Sequence, residues 1–177
     1  MDMKIKKGMI GCLFAMGMMG AMSMTAFANT DVDALSKKAR SIETEVESED
    51  ESSSYVTNIN RGELISSVEI GIMKDAPGVA RISGEIDCHR AMSEITIVLQ
   101  LQKYNQEQKT WKMVNRQTFE WKASDLPEGE KLTTAYIAYN IAGLSSGDYR
   151  VRAIFDAVDL DGDLNEAWSA ISDGIEF

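Results

Sequence analysis

From residue 63 to the C-terminus, apolar residues recur at every second position. That is the period of a β-strand with one buried and one solvated face. Residues 67–72 open the pattern, with Val68, Ile70 and Ile72 on one side. A turn follows at Asp75-Ala76-Pro77-Gly78, with Pro and Gly in turn-forming order. Over residues 79–89 the alternation is strict: Ala80, Ile82, Gly84, Ile86 and Cys88 face one way, and Arg81, Ser83, Glu85, Asp87 and His89 the other. Residues 93–104 carry Ile95, Ile97, Leu99 and Leu101 inward, and Val98 on the opposite face marks a central strand.

After a polar loop at 105–109, the spacing over 111–121 predicts a strand with Trp111, Met113, Phe119 and Trp121 on one side. Pro127 and Gly129 turn the chain before a strand at 132–141, with Ala135, Ile137, Tyr139 and Ile141 inward. Residues 143–147 turn again, and 148–158 place Tyr149, Val151, Ala153 and Phe155 inward and Arg150 and Arg152 outward. An acidic loop at 159–166 leads to a last strand at 167–177, with Ile171, Ile175 and Phe177 sharing a face. Seven short strands with regular turns and no helical crossover predict an all-β, antiparallel β-sandwich over residues 63–177.

The turn Leu144-Ser-Ser-Gly147-Asp-Tyr149-Arg-Val151-Arg resembles the entry to the sixth strand of immunoglobulin-like and fibronectin-type-III-like sandwiches. In those modules a Tyr hydroxyl bonds back to the preceding loop, and the resemblance assigns that part to Tyr149. The antibody cysteine pair is missing, so the likeness is to fibronectin-like or bacterial variants. The overall plan also resembles small exported proteins of Gram-positive gut bacteria of uncharacterised function. What this implies is a fold, not a reaction. An outer-membrane barrel is disfavoured, because such barrels have an even strand number and a continuous apolar outer face, whereas Asp173 would share a face with Ile175 and Phe177.

Upstream the pattern is different. Lys4, Lys6 and Lys7, an uncharged run from Met9 to Met22 and the small-residue site Ala26-Phe27-Ala28 follow the order of a secretory signal peptide. Residues 1–28 are therefore expected to be a leader cleaved near Ala28, too short for a membrane span. Cys12 lies near the start of the apolar run, as leader filler, and leaves Cys88 as the single thiol of the exported chain. Residues 29–62 are expected to be an acidic spacer, flexible or partly helical. Glu43, Glu45, Glu47, Glu49, Asp50 and Glu51 crowd together before three serines. Val32, Leu35, Ala39, Ile42 and Val46 sketch a helical stripe over residues 31–48, too short for a coiled coil.

Composition sharpens the picture mainly through charge. The 177-residue chain has 28 acidic and 18 basic side chains and a formal net charge of -10. Removing the leader, with its three Lys and one Asp, takes this to -12. Such a balance argues against nucleic acid or an anionic membrane surface as partner. Eight of the 11 Met lie in the leader, so the exported chain has no Met-rich surface.

Candidate chemistry is sparse. The one histidine, His89, follows Cys88, and adjacent strand residues point to opposite faces, so a Cys–His dyad is not expected. Acidic residues are numerous, yet no pair stands out as a glycosidase couple. The strongest candidate is a calcium site at Asp156, Asp159, Asp161, Asp163, Asn165 and Glu166, because clustered oxygen ligands suit a hard cation. Its start, Asp159-Leu-Asp161-Gly-Asp163, resembles an EF-hand loop, but the Gly stands fourth rather than sixth and Ala170 occupies the twelfth place. Any such site would be weak, and no other cofactor is expected. Trp111, Trp121, Trp168, Tyr104, Tyr136 and Tyr139 are candidates for a stacking surface.

The sequence thus reads as a secreted or surface-associated, monomeric, non-catalytic binding module for an extracellular protein or glycan. The alternatives are a carboxylate-dependent glycan or peptidoglycan hydrolase and a calcium-stabilised structural module.

Overall fold

The computed structural model describes Arg40–Ile42, Glu51–Thr57 and residues 62–177. The expected leader, its cleavage point and Cys12 lie outside the described residues, as does the helical stripe apart from Arg40–Ile42. The strands are β1 (Arg40–Ile42), β2 (Glu51–Thr57), β3 (Ile65–Ala76), β4 (Val79–Asn105), β5 (Thr110–Lys122), β6 (Leu132–Ala142), β7 (Asp148–Asp159), β8 (Asn165–Ile171) and β9 (Ile175–Glu176). One 3-10 turn, Ala123–Asp125, is the only helical element among the described residues. No helix among them is long and apolar enough to cross a membrane.

β4 organises the whole. Its first half, Val79 to Asp87, lies between β3 and β6, with Ile82 opposite both Ile72 and Tyr139. Its second half, Glu94 to Lys103, lies between β5 and β7, with Ile97 opposite both Phe119 and Phe155. The two strands expected at 79–89 and 93–104 are therefore one strand that passes from one set of partners to another. A register shift between Asp87 and Glu94 makes this possible. Ala80, Ile82 and Ile86 are buried on even positions, and Ile95, Ile97, Leu99 and Leu101 on odd ones. A strand with period two can change parity only where an extra residue is accommodated.

The two halves face each other. A Cβ on Gly84 would lie 3.0 Å from Leu99 Cδ2 and 3.3 Å from Ile97 Cγ2. One apolar cluster spans both sets of strands, joining Val68, Ile70 and Ile86 to Leu99, Val151 and Phe155. Residues 62–177 therefore form seven strands, β3 to β9, antiparallel throughout and compatible with a β-sandwich-like fold. Val98 is fully buried and its strand is central, as its sequence position predicts.

Three local expectations change. Within the expected spacer, Arg40–Ile42 and Glu51–Thr57 are strands rather than coil or helix. β1 runs parallel to β8, and β2 extends β3 antiparallel. The open edge of β3 offers unpaired backbone groups, and Tyr55, Val56 and Thr57 are β-forming residue types.

The last expected strand divides at residues 172–174. Ser172 N donates to Val151 O at 2.9 Å, and Val151 N donates to Ser172 Oγ at 2.9 Å. Ile171 then pairs with outward Arg152 while Ile175 pairs with inward Tyr149, so the two isoleucines occupy opposite faces.

In β5 a bulge between the pairs Leu101/Asn115 and Gln102/Met113 leaves Val114 unpaired. Phe119 and Trp121 stay on the core side, but Trp111 and Met113 move to the outward face.

Candidate functional site

The acidic residues singled out from the sequence do fall on one hairpin, between β7 and β8. Gly162, at φ +77°, makes the turn. Gly162 N donates to Asp159 O, Asp159 N to Leu164 O, and Leu164 N to Asp159 Oδ1. Cross-strand pairing then separates the carboxylates. Asp156 lies on the outward face, opposite Ala167, and accepts Asn165 Nδ2 on both oxygens at 2.8 Å. Glu166 lies on the inward face, opposite Ala157.

The Glu166 carboxylate works as a clamp: Oε2 accepts Leu64 N at 2.8 Å and Ile65 N at 3.0 Å, and Oε1 accepts Trp168 Nε1 at 2.9 Å. Asp159 Oδ2 lies 3.9 Å from Arg90 Nη2, while Asp161 and Asp163 are exposed. No three His, Cys, Asp or Glu side chains among the described residues converge as a metal ion requires. The local bonds explain the acidity of Asp156, Asp159 and Glu166 as strand and turn chemistry.

Cys88 and His89 diverge, as alternation requires. Cys88 packs against the core, and burial first, then the charges of Asp87 and Glu166, push its thiol up to about 12. His89 is exposed, and its backbone N–H bonds Leu64 O at 2.9 Å.

The six aromatic candidates separate into four settings. Trp168 is a core residue, 6% exposed. Trp121 and Tyr139 are half-buried on the inward side with Phe119, whose ring centroid lies 5.6 Å from that of Tyr139. Burial pushes the Tyr139 phenol up to about 12, and its hydroxyl has no hydrogen-bond partner among the described residues. Tyr136 is 54% exposed on the outward face of β6.

Tyr104 and Trp111 form the fourth setting. They pair across β4 and β5 on the outward face, with ring centroids 5.2 Å apart and planes at 56°. Both are half-buried. The Arg150 guanidinium stacks over Trp111 at 4.3 Å, a cation–π contact. Arg150 Nε donates to Gln102 Oε1 at 2.8 Å, which fixes the guanidinium plane. Partial burial and the charge of Arg152 draw the Arg150 pKa down, as for a cation removed from bulk water. Two aromatic rings, a guanidinium and an amide thus share one outward face at one end of the sheet. The β5 bulge creates this grouping, because without it Trp111 would point inward with Phe119 and Trp121. Gln102 was not a sequence candidate, and the two consecutive apolar residues Met113-Val114 are the one local sign that the alternation breaks there.

A cleft of about 390 Å³ opens on the inward side between β5, β6 and the turn after β6, lined by Leu101, Lys103, Asn115, Ile141, Leu144 and Tyr149 among others. Its cation is already engaged. Lys103 Nζ donates to Ser145 Oγ and Ser146 O, both at 2.7 Å, and sits 5.2 Å from the centre of the Tyr149 ring. No carboxylate lines this cleft, so it lacks the facing acid pair that glycoside hydrolysis uses. Comparison of the chain with protein-family models, curated proteins and solved structures finds no match in any of the three.

Proposed function

We propose that the protein is an exported, non-catalytic binding module whose ligand is a glycan held at Tyr104, Trp111, Arg150 and Gln102. The observation that carries this reading is the outward Tyr104–Trp111 pair with Arg150 stacked on it. Aromatic rings offer apolar faces for the C–H side of a sugar ring, while guanidinium and amide groups supply hydrogen bonds for its hydroxyls. Export rests on the leader pattern of residues 1–28.

Two features support an immunoglobulin-like or fibronectin-type-III-like build for the module. Pairing sorts the strands into β3, the first half of β4 and β6 on one side, and β5, the second half of β4, β7 and β8 on the other. Tyr149 Oη donates to Ser145 O at 2.8 Å, the bond of the tyrosine corner. In sandwiches of this kind, recognition lies on loops or one sheet face, and the aromatic cluster occupies such a face.

A glycan-array screen of the full chain tests the reading. Trp111→Ala is expected to weaken retention about tenfold, the equivalent of about 1.4 kcal/mol. Tyr136→Ala, an exposed aromatic on β6 outside the cluster, should leave binding unchanged. A folded Trp111→Ala variant that binds every glycan as the parent does would sink the proposal.

A further inference from the structure

β6 is an edge strand without the usual protections. Among the described residues it pairs with β4 alone, leaving its other edge open. An open edge presents a row of unpaired N–H and C=O groups, and proteins blunt such edges with charges, prolines, bulges or short length. The other edges carry these devices. β1 has three residues, β2 begins with Glu51, and β5 has a bulge together with Lys112, Arg116 and Lys122. β6 has eleven residues, Leu132–Ala142, none of them charged, Pro or Gly. Its pairing with β4 runs unbroken from Asp87/Thr134 to Val79/Ala142. On its outward face Tyr136 is 54% exposed, beside Ala138 and Asn140.

We propose that β6 pairs antiparallel with β6 of a second copy of this chain about a two-fold axis, joining the β2-β3-β4-β6 strands of both copies into one continuous sheet. The occupant of a strand edge must be another strand, because only extended backbone satisfies that row of groups. The composition of β6 selects its own copy. In a two-fold antiparallel pair each strand meets itself, so a charge near the axis falls beside its own like charge. β6 has none, whereas a fully overlapped β5 pair would set Arg116 against Arg116 at its centre. Full overlap sets Ile137 against Ile137, the Tyr136 ring beside the small Ala138, and Thr134 opposite Asn140. Lys131 then falls opposite Gly143, free of like charge. The sequence alone reads as a monomer; the proposal departs from that expectation on the strength of the open, uncharged β6 edge.

Two properties of the dimer follow. A single strand pair is smaller than a standard interface of about 1,200–2,000 Å², so the dimer dissociates reversibly on dilution. The strongly acidic chains repel one another at long range, so added salt raises the dimer fraction.

Sedimentation velocity of the full chain across concentration and salt reads both. The expected result is a monomer–dimer equilibrium that shifts toward dimer with salt, with amide exchange in residues 132–142 slowing as concentration rises. Ala138→Lys should raise the dissociation constant at least tenfold and abolish that concentration dependence, while Ala138→Ser keeps the dimer. Should Ala138→Lys fail to fold, Tyr136→Lys, at an exposed outward position diagonal to its own copy across the axis, carries the same expectation. A chain monomeric at every concentration overturns the proposal, as does a lysine variant that dimerises like the parent. Capture of a foreign extended peptide along β6 by a monomeric chain overturns it too, and would make the edge a recruitment site.

Discussion

Tyr149 carries two separable functions. Its ring is 2% exposed and meets Phe177 edge-on, at 5.4 Å and 83°, with the Lys103 ammonium beside it. Its hydroxyl leaves the core to reach Ser145 O. Tyr149→Phe keeps the first and removes the second. The freed carbonyl belongs to an exposed residue that water can reach, so the expected cost is about 1 kcal/mol, at the modest end for a lost hydrogen bond. In a melting experiment that lowers Tm by about 3 °C for a chain of this size. An unchanged Tm would mean the bond adds nothing to stability. This bond was expected only through the resemblance of the turn at 144–152 to the strand entry of immunoglobulin-like sandwiches, and it closes within one turn, donor and acceptor four residues apart. The Glu166 clamp was not legible in the sequence, because Leu64 is 102 positions away and only the folded sheet brings the two together. Its oxygens hold the start of β3 and the Trp168 indole.

Between residues, the informative events are the places where alternation changes phase. Period two identified the inward sets of β3 and β7 and both halves of β4, since each needs only its own residues to declare a face. It could not give the joins. The shift between Asp87 and Glu94, the Val114 bulge and the break at residues 172–174 each accommodate extra backbone and reverse which parity faces inward. The last two reversals moved side chains that the sequence had placed: Trp111 and Met113 outward, and Ile171 away from Ile175. The fold of β4 onto itself gives a sharp test. Gly84 is tight against Leu99 and Ile97 across the core, so Gly84→Val must overpack and should cost about 1–3 kcal/mol. Leu99→Ala alone should cost about 2–5 kcal/mol by leaving a cavity. Together the two should cost less than their sum, because valine at 84 fills the space that Leu99 vacates. Strict additivity in urea denaturation would show that the two halves of β4 do not pack face to face.

Across the whole molecule, acidity dominates the composition, yet the large upward shifts belong to a thiol and a phenol. Cys88 and Tyr139 both lie against the core, and burial raises both: the thiol from about 9 and the phenol from about 10, each to about 12. The sign of the effect on stability follows from proton counting. Below pH 9 both groups are neutral in folded and unfolded chains, and their contribution is fully present. Between pH 9 and 12 the unfolded chain releases these protons while the folded chain retains them, so unfolding becomes more favourable as pH rises. Urea midpoints measured across that interval should therefore fall with pH. Other kinds of side chain also ionise at alkaline pH, so the comparison must be with a Cys88→Ser, Tyr139→Phe variant, in which the thiol and phenol are absent from both states. The variant should show a shallower decline, beginning to diverge from the parent near pH 9, where the thiol ionises first. Cys88 of the folded protein should also resist alkylation through the lower part of this range, because the thiolate is the reactive form and burial suppresses it. Parallel pH profiles for parent and variant, or rapid labelling of native protein, would place Cys88 and Tyr139 in contact with water rather than against the core.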